Sequence, residues 1–424
     1  MINKFKISRN KNLNQDDVMT NLPQDWEVKK LGDIAEISSG GTPLRNKKEY
    51  WENGITPWVK IKDIKENFIS TTEEFITEDG LKNSSAKLFK KGTLLYSIFA
   101  TLGEVAILDI DATTNQAIAG INIKENNANS LYLMYFLKSI KDEICNKGRG
   151  VAQNNLNLSI LKQIQIPLPP LQEQERIVGI LDESFANIDE SIKNLEQDLL
   201  NLDELMQSAL QKAFNPLKDN AKENYQLPQG WEWKSLNSVV LKTSNINPCN
   251  FNEDKFYYID ISSIDNKNFC IYNIKNIYKQ DAPSRARKDV LYGDVLYATT
   301  RPNLKNIAIN YYNFNNIVAS TGFCILRANE KLNNKYLFFF LLSDIFDNYI
   351  NKYIRGTQYP SVSDKDIFNS KIPLPPLQEQ EQIASYLDEL SLNIKDLKQN
   401  YQTQIKNLQE LKKSLLDRAF KGRL

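Results

Sequence analysis

The chain has 424 residues, of which 41% are hydrophobic and 25% are charged, and its formal net charge is +1. This length suits two or three domains rather than one, and the ordinary balance of apolar and charged residues excludes a globally disordered chain. No apolar run approaches the roughly 20 residues that a membrane span needs, and the first residues lack the apolar core of a signal peptide. We therefore expect a cytoplasmic protein that does not contact membranes.

Residue usage also narrows the chemistry that the chain can perform. The four cysteines form no CxxC pair and there is no histidine, which argues against a disulfide framework and against a zinc site. The absence of histidine removes the commonest general base. Catalysis by carboxylates and a metal ion is the enzymatic route that stays open.

Two copies of one unit of about 205 residues make up the chain, and such a repeat is the first feature to interpret. LPQDW at Leu22–Trp26 returns as LPQGW at Leu227–Trp231, and IPLPPLQEQE occurs at both Ile166–Glu175 and Ile372–Glu381. The repeat predicts five segments in chain order: an N-terminal extension (1–21), a first body (22–165), a central connector and helix (166–226), a second body (227–371), and a C-terminal connector and helix (372–424).

Charge is distributed unevenly along these segments. Residues 23–165 contain 18 basic and 18 acidic residues, residues 228–371 contain 18 and 13, and residues 172–227 contain 5 and 12. Because phosphate repels an acidic segment, any contact with a nucleic acid belongs to the two bodies rather than to the central helix.

Both bodies predict mixed α and β structure. LLYSIFA in the first body and VLYATT in the second are short β-rich runs, whereas Leu131–Ile144 and Tyr336–Ile350 carry apolar residues at helical spacing. The bodies share an apolar skeleton and differ in the polar residues between, as in WVKIKDI at Trp58–Ile64 and YIDISSI at Tyr258–Ile264. This pattern is expected of two copies of one fold that bind different ligands, although drift after duplication would also produce it.

Each body is followed by a connector and a long helix. IPLPP is not helical, because proline lacks the N–H donor and favours extended geometry before it. The following helix of the first copy, from Gln172 to Phe214, would be about 60 Å long. Its apolar residues alternate at spacings of four and three, which is a coiled-coil seam. The seam residues of the two helices are Leu181, Ile188, Leu195 and Leu202 in the first and Leu387, Ile394, Tyr401 and Leu408 in the second. The stripes allow pairing within the chain or between two chains, and the duplication favours the first.

The two IPLPPLQEQE connectors, the LPxxW openings, the heptad helices and the closing RAFKGRL together resemble the specificity subunit of type I restriction-modification systems, end to end apart from the first twenty residues. The resemblance implies an α+β fold of two target-recognition domains joined by two long antiparallel coiled-coil helices. Each domain would read one half of a bipartite target in double-stranded DNA, and the helices would set the spacing between the halves.

The resemblance also implies partners. Two modification subunits would dock on the helical region and methylate adenine with S-adenosylmethionine, and two ATP- and magnesium-dependent translocating nuclease subunits can join them. This chain would bind no cofactor and perform no catalysis. The sequence agrees with that role, because it has no Asn-Pro-Pro-Tyr-like motif and no GxxxxGK[ST] phosphate loop, and Gln153 replaces the third glycine of a GxGxxG fingerprint.

Candidate DNA-reading residues follow from the chemistry of the grooves. Arg and Lys read guanine, Asn and Gln read adenine, Ser and Thr serve either, and basic or small polar groups hold phosphates. The first-body candidates are Thr42, Arg45, Lys47, Lys48, Lys60, Lys62, Thr101, Asn115, Gln116, Arg149, Gln153 and Asn154. The second-body candidates are Asn245, Asn247, Arg285, Arg287, Lys288, Thr299, Thr300, Arg301, Asn303, Lys305, Arg355, Gln358 and Tyr359.

Two other classes of function compete with DNA recognition. One is a coiled-coil scaffold that joins two protein-binding domains. The other is an enzyme such as a metal-dependent nuclease, whose carboxylate motifs are too short to recognise in a sequence. Polar variation on a shared skeleton favours DNA recognition over the scaffold, and the missing catalytic motifs disfavour the enzyme.

Overall fold

The computed structural model describes residues 22–124, 128–148, 156–215 and 227–424. The predicted N-terminal extension lies outside the described residues, as do Arg149, Gln153 and Asn154. The chain divides into two compact units: the first unit is Met1–Lys193 with Ile405–Leu424, and the second unit is Asn194–Gln404. Among the described helices, none is long and apolar enough to cross a membrane.

The first unit contains short strands and short helices. Its strands are β1 (Glu27–Lys30), β2 (Ala35–Ser39), β3 (Thr56–Val59), β4 (Phe68–Ile69), β5 (Glu74–Ile76), β6 (Leu94–Ser97), β7 (Val105–Leu108), β8 (Thr113–Thr114), β9 (Ile118–Ile123) and β10 (Gln165–Leu168). Its short helices are α1 (Leu31–Ile34), α2 (Glu78–Lys82), α3 (Ser130–Ser139), α4 (Lys141–Gly148) and α5 (Leu158–Lys162). The long helix α6 (Leu171–Phe214) begins in this unit.

The second unit repeats this arrangement. Its strands are β11 (Glu232–Ser235), β12 (Val240–Leu241), β13 (Lys255–Ile259), β14 (Ile264–Asp265), β15 (Cys270–Ile271), β16 (Lys275–Tyr278), β17 (Ala286–Asp289), β18 (Val295–Ala298), β19 (Ile307–Ile309), β20 (Ile317–Ser320), β21 (Phe323–Ala328) and β22 (Lys371–Leu374). Its short helices are α7 (Leu236–Val239), α8 (Asn334–Leu341), α9 (Asp344–Ile350) and α10 (Asp364–Phe368). The long helix α11 (Leu377–Ala419) begins here.

The sheets of the two units have matching strand orders. The order β2-β9-β6-β7 of the first unit, with β4 at its edge, corresponds to β12-β21-β18-β19 of the second. The order β5-β3-β8 corresponds to β16-β13-β20, to which β17 is added, and the corresponding pairs β3/β8 and β13/β20 are both parallel. This confirms the predicted α+β fold with an internal repeat.

Each predicted single helix near the end of a body is two helices in the structure. The helical spacing over Leu131–Ile144 covers α3 and α4, and that over Tyr336–Ile350 covers α8 and α9. A serine hydroxyl bonds the carbonyl oxygen three residues earlier at each break, Ser139 to Phe136 and Ser343 to Phe340, both at 2.6 Å. Such bonds compete with the helical ladder, and hydrophobic spacing does not reveal them.

The proline-rich connectors are extended, as predicted, and form strands. β10 pairs with β1 and β22 pairs with β11, both antiparallel. Near the end of each connector a buried glutamine accepts a hydrogen bond through its side-chain oxygen, Gln174 from the backbone N–H of Asn129 at 2.8 Å and Gln380 from that of Asn333 at 2.9 Å. The side-chain NH2 groups of Gln174 and Gln380 donate to the carbonyl oxygens of Pro169 and Pro375, respectively, both at 2.8 Å. The residues of the repeated sequence PPLQEQ therefore connect each body to its long helix through these hydrogen bonds.

The two long helices pair within each unit. In the first unit, Lys412 of α11 pairs with Asp189 of α6 at 2.5 Å, and Arg176 of α6 lies 3.4 Å from the carbonyl oxygen of Leu424, so the helices run antiparallel. In the second unit, Lys398 pairs with Asp203. The predicted seam residues are all buried or half-buried: Leu181, Ile188, Leu195, Leu202, Leu387, Ile394, Tyr401 and Leu408.

Each unit is closed by the end of a long helix. Phe420 packs edge-on against Tyr132 and Phe136 in the first unit, with ring centroids 5.2 and 5.3 Å apart. Phe214 packs at the equivalent place in the second unit, edge-on against Phe340 at 5.7 Å and tilted against Tyr336 at 5.0 Å. The compact units therefore differ from the sequence copies, because the end of α11 packs on the first body.

Candidate nucleic-acid interface

The polar candidates of the first unit gather where two strands end. β3 and β8 are parallel, with Val59 opposite Thr114, so Lys60 and Asn115 follow at the same edge of the sheet. The N–H of Asn115 donates to the carbonyl oxygen of Val59 at 3.2 Å. The hydroxyl of Thr42 is 2.5 Å from the side-chain oxygen of Gln116. We call the surface formed by Thr42, Lys60, Asn115, Gln116 and their neighbours the strand-end edge of the first unit.

The basic side chains at the strand-end edge are already paired with carboxylates. Arg45 bonds Glu74 at 2.5 Å, Lys60 bonds Glu74 directly and lies 3.7 Å from Glu73, and Lys62 bonds Glu73. The hydrogen bond from Lys62 lowers the pKa of Glu73. Burial pushes the pKa of Glu74 upwards, but the hydrogen bonds from Lys60 and Arg45 outweigh it and leave that pKa lowered. Both carboxylates are therefore ionised at neutral pH and hold the cations in place.

Aromatic rings also hold two cations of this surface, Arg45 and Lys47. The guanidinium of Arg45 lies 3.8 Å from the ring centroid of Trp51 and 4.5 Å from that of Trp58, a geometry that favours a cation over the ring face. The ammonium of Lys47 is 3.2 Å from the hydroxyl of Tyr50. Lys48 is exposed and pairs with Glu52 at 3.5 Å.

The loop after β6 adjoins the same edge. The N–H of Ile98 donates to the carbonyl oxygen of Ala117 at 2.8 Å, which places the loop that carries Thr101 beside Gln116. Ala100 in this loop has a left-handed backbone, with φ of 57°. Arg149 and Gln153, which the sequence grouped with this surface, lie outside the described residues.

In the second unit the candidates surround the turn at Thr321 and Gly322. The N–H of Thr321 donates to the carbonyl oxygen of Arg285, and the N–H of Thr299 donates to that of Gly322, both at 2.8 Å. The loop that carries Asn245 lies against β17, because the N–H of Ile246 donates to the carbonyl oxygen of Arg287 at 2.8 Å. This is the strand-end edge of the second unit.

A tight loop from Arg355 to Ser361 completes the second edge. Arg355 and Ser361 exchange two backbone hydrogen bonds of 2.9 Å, and the N–H of Arg301 donates to the carbonyl oxygen of Pro360 at 2.7 Å. The guanidinium of Arg301 lies 5.6 Å from the ring centroid of Tyr359, which is 71% exposed. Gln358 beside it is exposed, as are Asn303 and Asn247.

Arg301 occupies a position that corresponds to Ala100. Both are non-glycine residues in the left-handed region, Arg301 with φ of 50°, and both stand two residues after the residue whose N–H bonds the neighbouring turn. Left-handed geometry at a non-glycine residue costs of order 1–3 kcal/mol and clusters at functional sites. One fold thus presents a guanidinium in the second unit where the first unit presents a methyl group.

The cations of the second unit fall into two groups. Within the part of the chain that the structure describes, Arg285, Arg287 and Arg301 make no ion pair. The paired cations are Lys288 with Asp364 at 2.7 Å, Lys305 with Asp347, and Arg355 with Asp366 at 3.3 Å.

The structure corrects the expectation for Thr299. Its side chain is buried, with 7% exposure, and its hydroxyl donates to the carbonyl oxygen of Gly322 at 3.0 Å. The hydroxyl therefore stabilises the turn and is not free for a base. The neighbouring Thr300 is half-buried and its backbone bridges to Ser361.

Several residues of the two edges were missed in the sequence. These are the ion-pair partners Glu73, Glu74, Asp260 and Lys275. The alignment of WVKIKDI with YIDISSI places Lys60 opposite Asp260, so the exchange of charge at this position was the signal in the sequence that could have identified them. Among the described residues no group of acidic or cysteine side chains could hold a metal ion.

Comparisons with known proteins agree with this geometry. The family model described as the type I restriction modification DNA specificity domain matches residues 23–201 and 228–407. The MjaIX specificity subunit of Methanocaldococcus jannaschii, a type I restriction enzyme subunit, is 28% identical over 95% of this chain and 94% of its own. The EcoR124I/EcoR124II specificity subunit of Escherichia coli is 32% identical over 41% of this chain and 44% of its own.

Two solved structures share the fold. A chain from a structure that concerns complex assembly and conformational transition of a type I R-M system covers 95% of this chain and 99% of its own, with a TM-score of 0.73 and 23% identity. The HsdS subunit from Thermoanaerobacter tengcongensis covers 95% and 98%, with a TM-score of 0.63 and 24% identity.

Proposed function

Since the chain belongs to the family of the type I restriction modification DNA specificity domain, we propose that it is the sequence-specific DNA-binding subunit of a type I restriction-modification complex. Each body reads one half of a bipartite target, and the paired helices set the spacing and dock two modification subunits. S-adenosylmethionine binds to those partners, and ATP with magnesium binds to two restriction subunits when they are present. This chain supplies recognition and assembly without catalysis.

One observation carries the proposal. The two units have one strand order, yet their strand-end edges present different polar side chains, such as Ala100 against Arg301. Sequence is read through side chains that meet base edges, whereas phosphate contacts only position the protein. A shared frame with different side chains at one edge suits two domains that read different half-sites.

Charge at the second edge supports the same reading. Arg285 and Arg301 are exposed, and they and the half-buried Arg287 have no carboxylate partner among the described residues. Arginine makes bidentate contacts with guanine and with phosphate. Unpaired arginines clustered beside one turn are the footprint expected of a DNA contact.

The test is co-expression with a type I modification subunit, followed by single-molecule sequencing for N6-methyladenine. A bipartite motif with a fixed gap is the expected result. Methylation at one undivided motif would mean that only one body reads DNA. An assembled complex that methylates nothing would favour a coiled-coil scaffold that joins two protein-binding domains.

A further inference from the structure

One ion pair occurs at corresponding positions of the two units with its charges exchanged. Lys60 follows β3 and precedes a 3₁₀ turn at Ile61–Asp63, and Asp260 follows β13 and precedes the equivalent turn at Ile261–Ser263. In both turns the backbone N–H of the preceding residue donates to the side chain three residues later, from Lys60 to the carboxylate of Asp63 at 2.8 Å and from Asp260 to the hydroxyl of Ser263 at 3.2 Å. The two positions are therefore the same place in the fold.

The partners of these residues also correspond. Glu74 lies on β5 opposite Trp58 of β3, and Lys275 lies on β16 opposite Tyr258 of β13. In the first unit the pair is Lys60 with Glu74, and in the second it is Asp260 with Lys275 at 2.5 Å. Both units therefore have an ion pair at this place, but the positions of the cation and the carboxylate are exchanged.

Each pair stands at a strand-end edge. Lys60 is next to Val59, whose carbonyl oxygen accepts the N–H of Asn115. Asp260 is next to Ile259, which lies opposite Ala319 at the end of the parallel neighbour β20. Both pairs therefore lie beside the turns that carry the candidate reading residues.

The burial of the pairs leaves them within reach of a ligand. The side chains are 18% exposed for Lys60, 30% for Glu74, 26% for Asp260 and 39% for Lys275. Among the described residues, Glu74 receives a second cation, Arg45, whereas Asp260 accepts a hydrogen bond from the hydroxyl of Ser262 at 2.5 Å. At the position that follows the strand, the first site thus has a donor, the ammonium of Lys60, and the second site has an acceptor, the carboxylate of Asp260.

A carboxylate at a DNA surface has restricted uses. Phosphates repel it, and the base-edge partners that suit it are amino groups, chiefly N4 of cytosine. A lysine or arginine at the same place suits the acceptors of guanine. A neighbouring counter-charge offsets the repulsion and orients the side chain.

We propose that this ion pair is a specificity-determining element of both domains, with Lys60 and Arg45 donating to acceptors on one half-site and Asp260 accepting from a base amino group on the other. The inference rests on the proposed function. The residues at positions 60 and 74 decide whether the first domain selects a hydrogen-bond donor or an acceptor on the base edge. Those at 260 and 275 decide the same for the second domain.

Reversal of each pair tests the inference in the complex with the modification subunit. The double variants K60E/E74K and D260K/K275D keep an ion pair. Each should change the methylated base sequence of one half-site and leave the other half-site and the gap unchanged. Discrimination at the altered position should shift by roughly ten-fold or more.

Matched controls are available at corresponding positions away from the edges. Glu27 and Lys29 pair at 2.8 Å on β1, and Glu232 and Lys234 pair at 2.5 Å on β11. The double variants E27K/K29E and E232K/K234E should preserve the wild-type motif. A motif change in these controls would contradict the assignment to the strand-end edge.

Neutral variants test the inference if a protein with exchanged ion-pair charges does not assemble or does not methylate DNA. Asp260→Asn and Lys60→Met keep the size of each side chain, and each should relax the preference at a base position of its own half-site. An unchanged motif in these assembled variants overturns the inference. A wild-type complex that yields no bipartite motif contradicts the proposed function instead, so the two failures are distinguishable.

Discussion

At the scale of single residues, the candidate cations differ in what they are free to do. Arg45, Lys60 and Lys62 are held by carboxylates and rings, whereas Arg285 and Arg301 are exposed and unpaired among the described residues. An ion pair at a protein surface contributes little to stability, so the carboxylates of the first unit act mainly on orientation. The first domain therefore presents pre-oriented cations, whereas the second presents unpaired arginines beside its own paired cations.

Arg301→Ala should weaken binding of the assembled complex to its cognate DNA by about 1–3 kcal/mol, because the guanidinium is exposed beside the turn and makes no ion pair among the described residues. Alanine accepts the same left-handed backbone with similar strain, so the loop is kept. Fluorescence anisotropy with labelled cognate duplex measures the change.

The matched control for Arg301 is Lys234→Ala, an exposed cation of the same unit that pairs with Glu232 on β11. We expect it to bind cognate DNA as the wild type does. An Arg301→Ala complex with wild-type affinity and an unchanged methylation pattern would remove Arg301 from the interface.

At the scale of elements, the connector joins a body to its helix through a buried amide. The side chain of Gln380 accepts from Asn333 N–H and donates to the carbonyl oxygens of Lys331 and Pro375. Gln380→Ala leaves these buried groups unpaired and should lower the free energy of unfolding by about 2–3 kcal/mol. Urea unfolding monitored by circular dichroism measures it.

Gln382→Ala is the control for this prediction, since Gln382 is two residues further along α11 and exposed. Its substitution should leave the midpoint of unfolding within error of the wild type. Equal midpoints for the two variants would show that the buried amide does not stabilise the junction.

The helix ends make a second prediction at this scale. Phe214 and Phe420 are buried against the rings of α8 and α3, respectively. Phe420→Ala should destabilise the first unit, and Phe214→Ala the second, each by about 3–5 kcal/mol. Hydrogen exchange should show lost protection in α3 for the first variant and in α8 for the second.

Leu200→Ala provides the comparison, because Leu200 on α6 is 57% exposed and its loss leaves no cavity. It should not change the exchange of either helix. Equal loss of protection in both units after a single Phe→Ala substitution would contradict the assignment of each helix end to one unit.

At the scale of the whole molecule, the proposed role of the helices is to set the gap between half-sites. Insertion of seven residues into α6 and seven into α11 keeps the heptad seam and lengthens each helix by about 10 Å. At about 3.4 Å per base pair, the gap in the methylated motif should lengthen by roughly three base pairs.

Methylome sequencing of the complex measures this gap directly. The control inserts seven residues into the segment Asn215–Gln226, which follows α6 in the chain. This insertion leaves the length of both helices unchanged and should preserve the gap. A folded and active variant with lengthened helices and the original gap would rule out the spacing role.

The sequence by itself determined the repeat, the extended connectors, the two heptad seams and the family. Those features are local or periodic: proline excludes helix in IPLPP, and seam residues such as Leu181 and Ile394 recur at fixed spacing. Only the tertiary structure decided which polar residues meet. It buried Thr299, placed Phe420 on the first body, and joined Lys60 to Glu74 and Asp260 to Lys275. These contacts depend on strand register and on segments distant in the chain, and neither is encoded in local spacing.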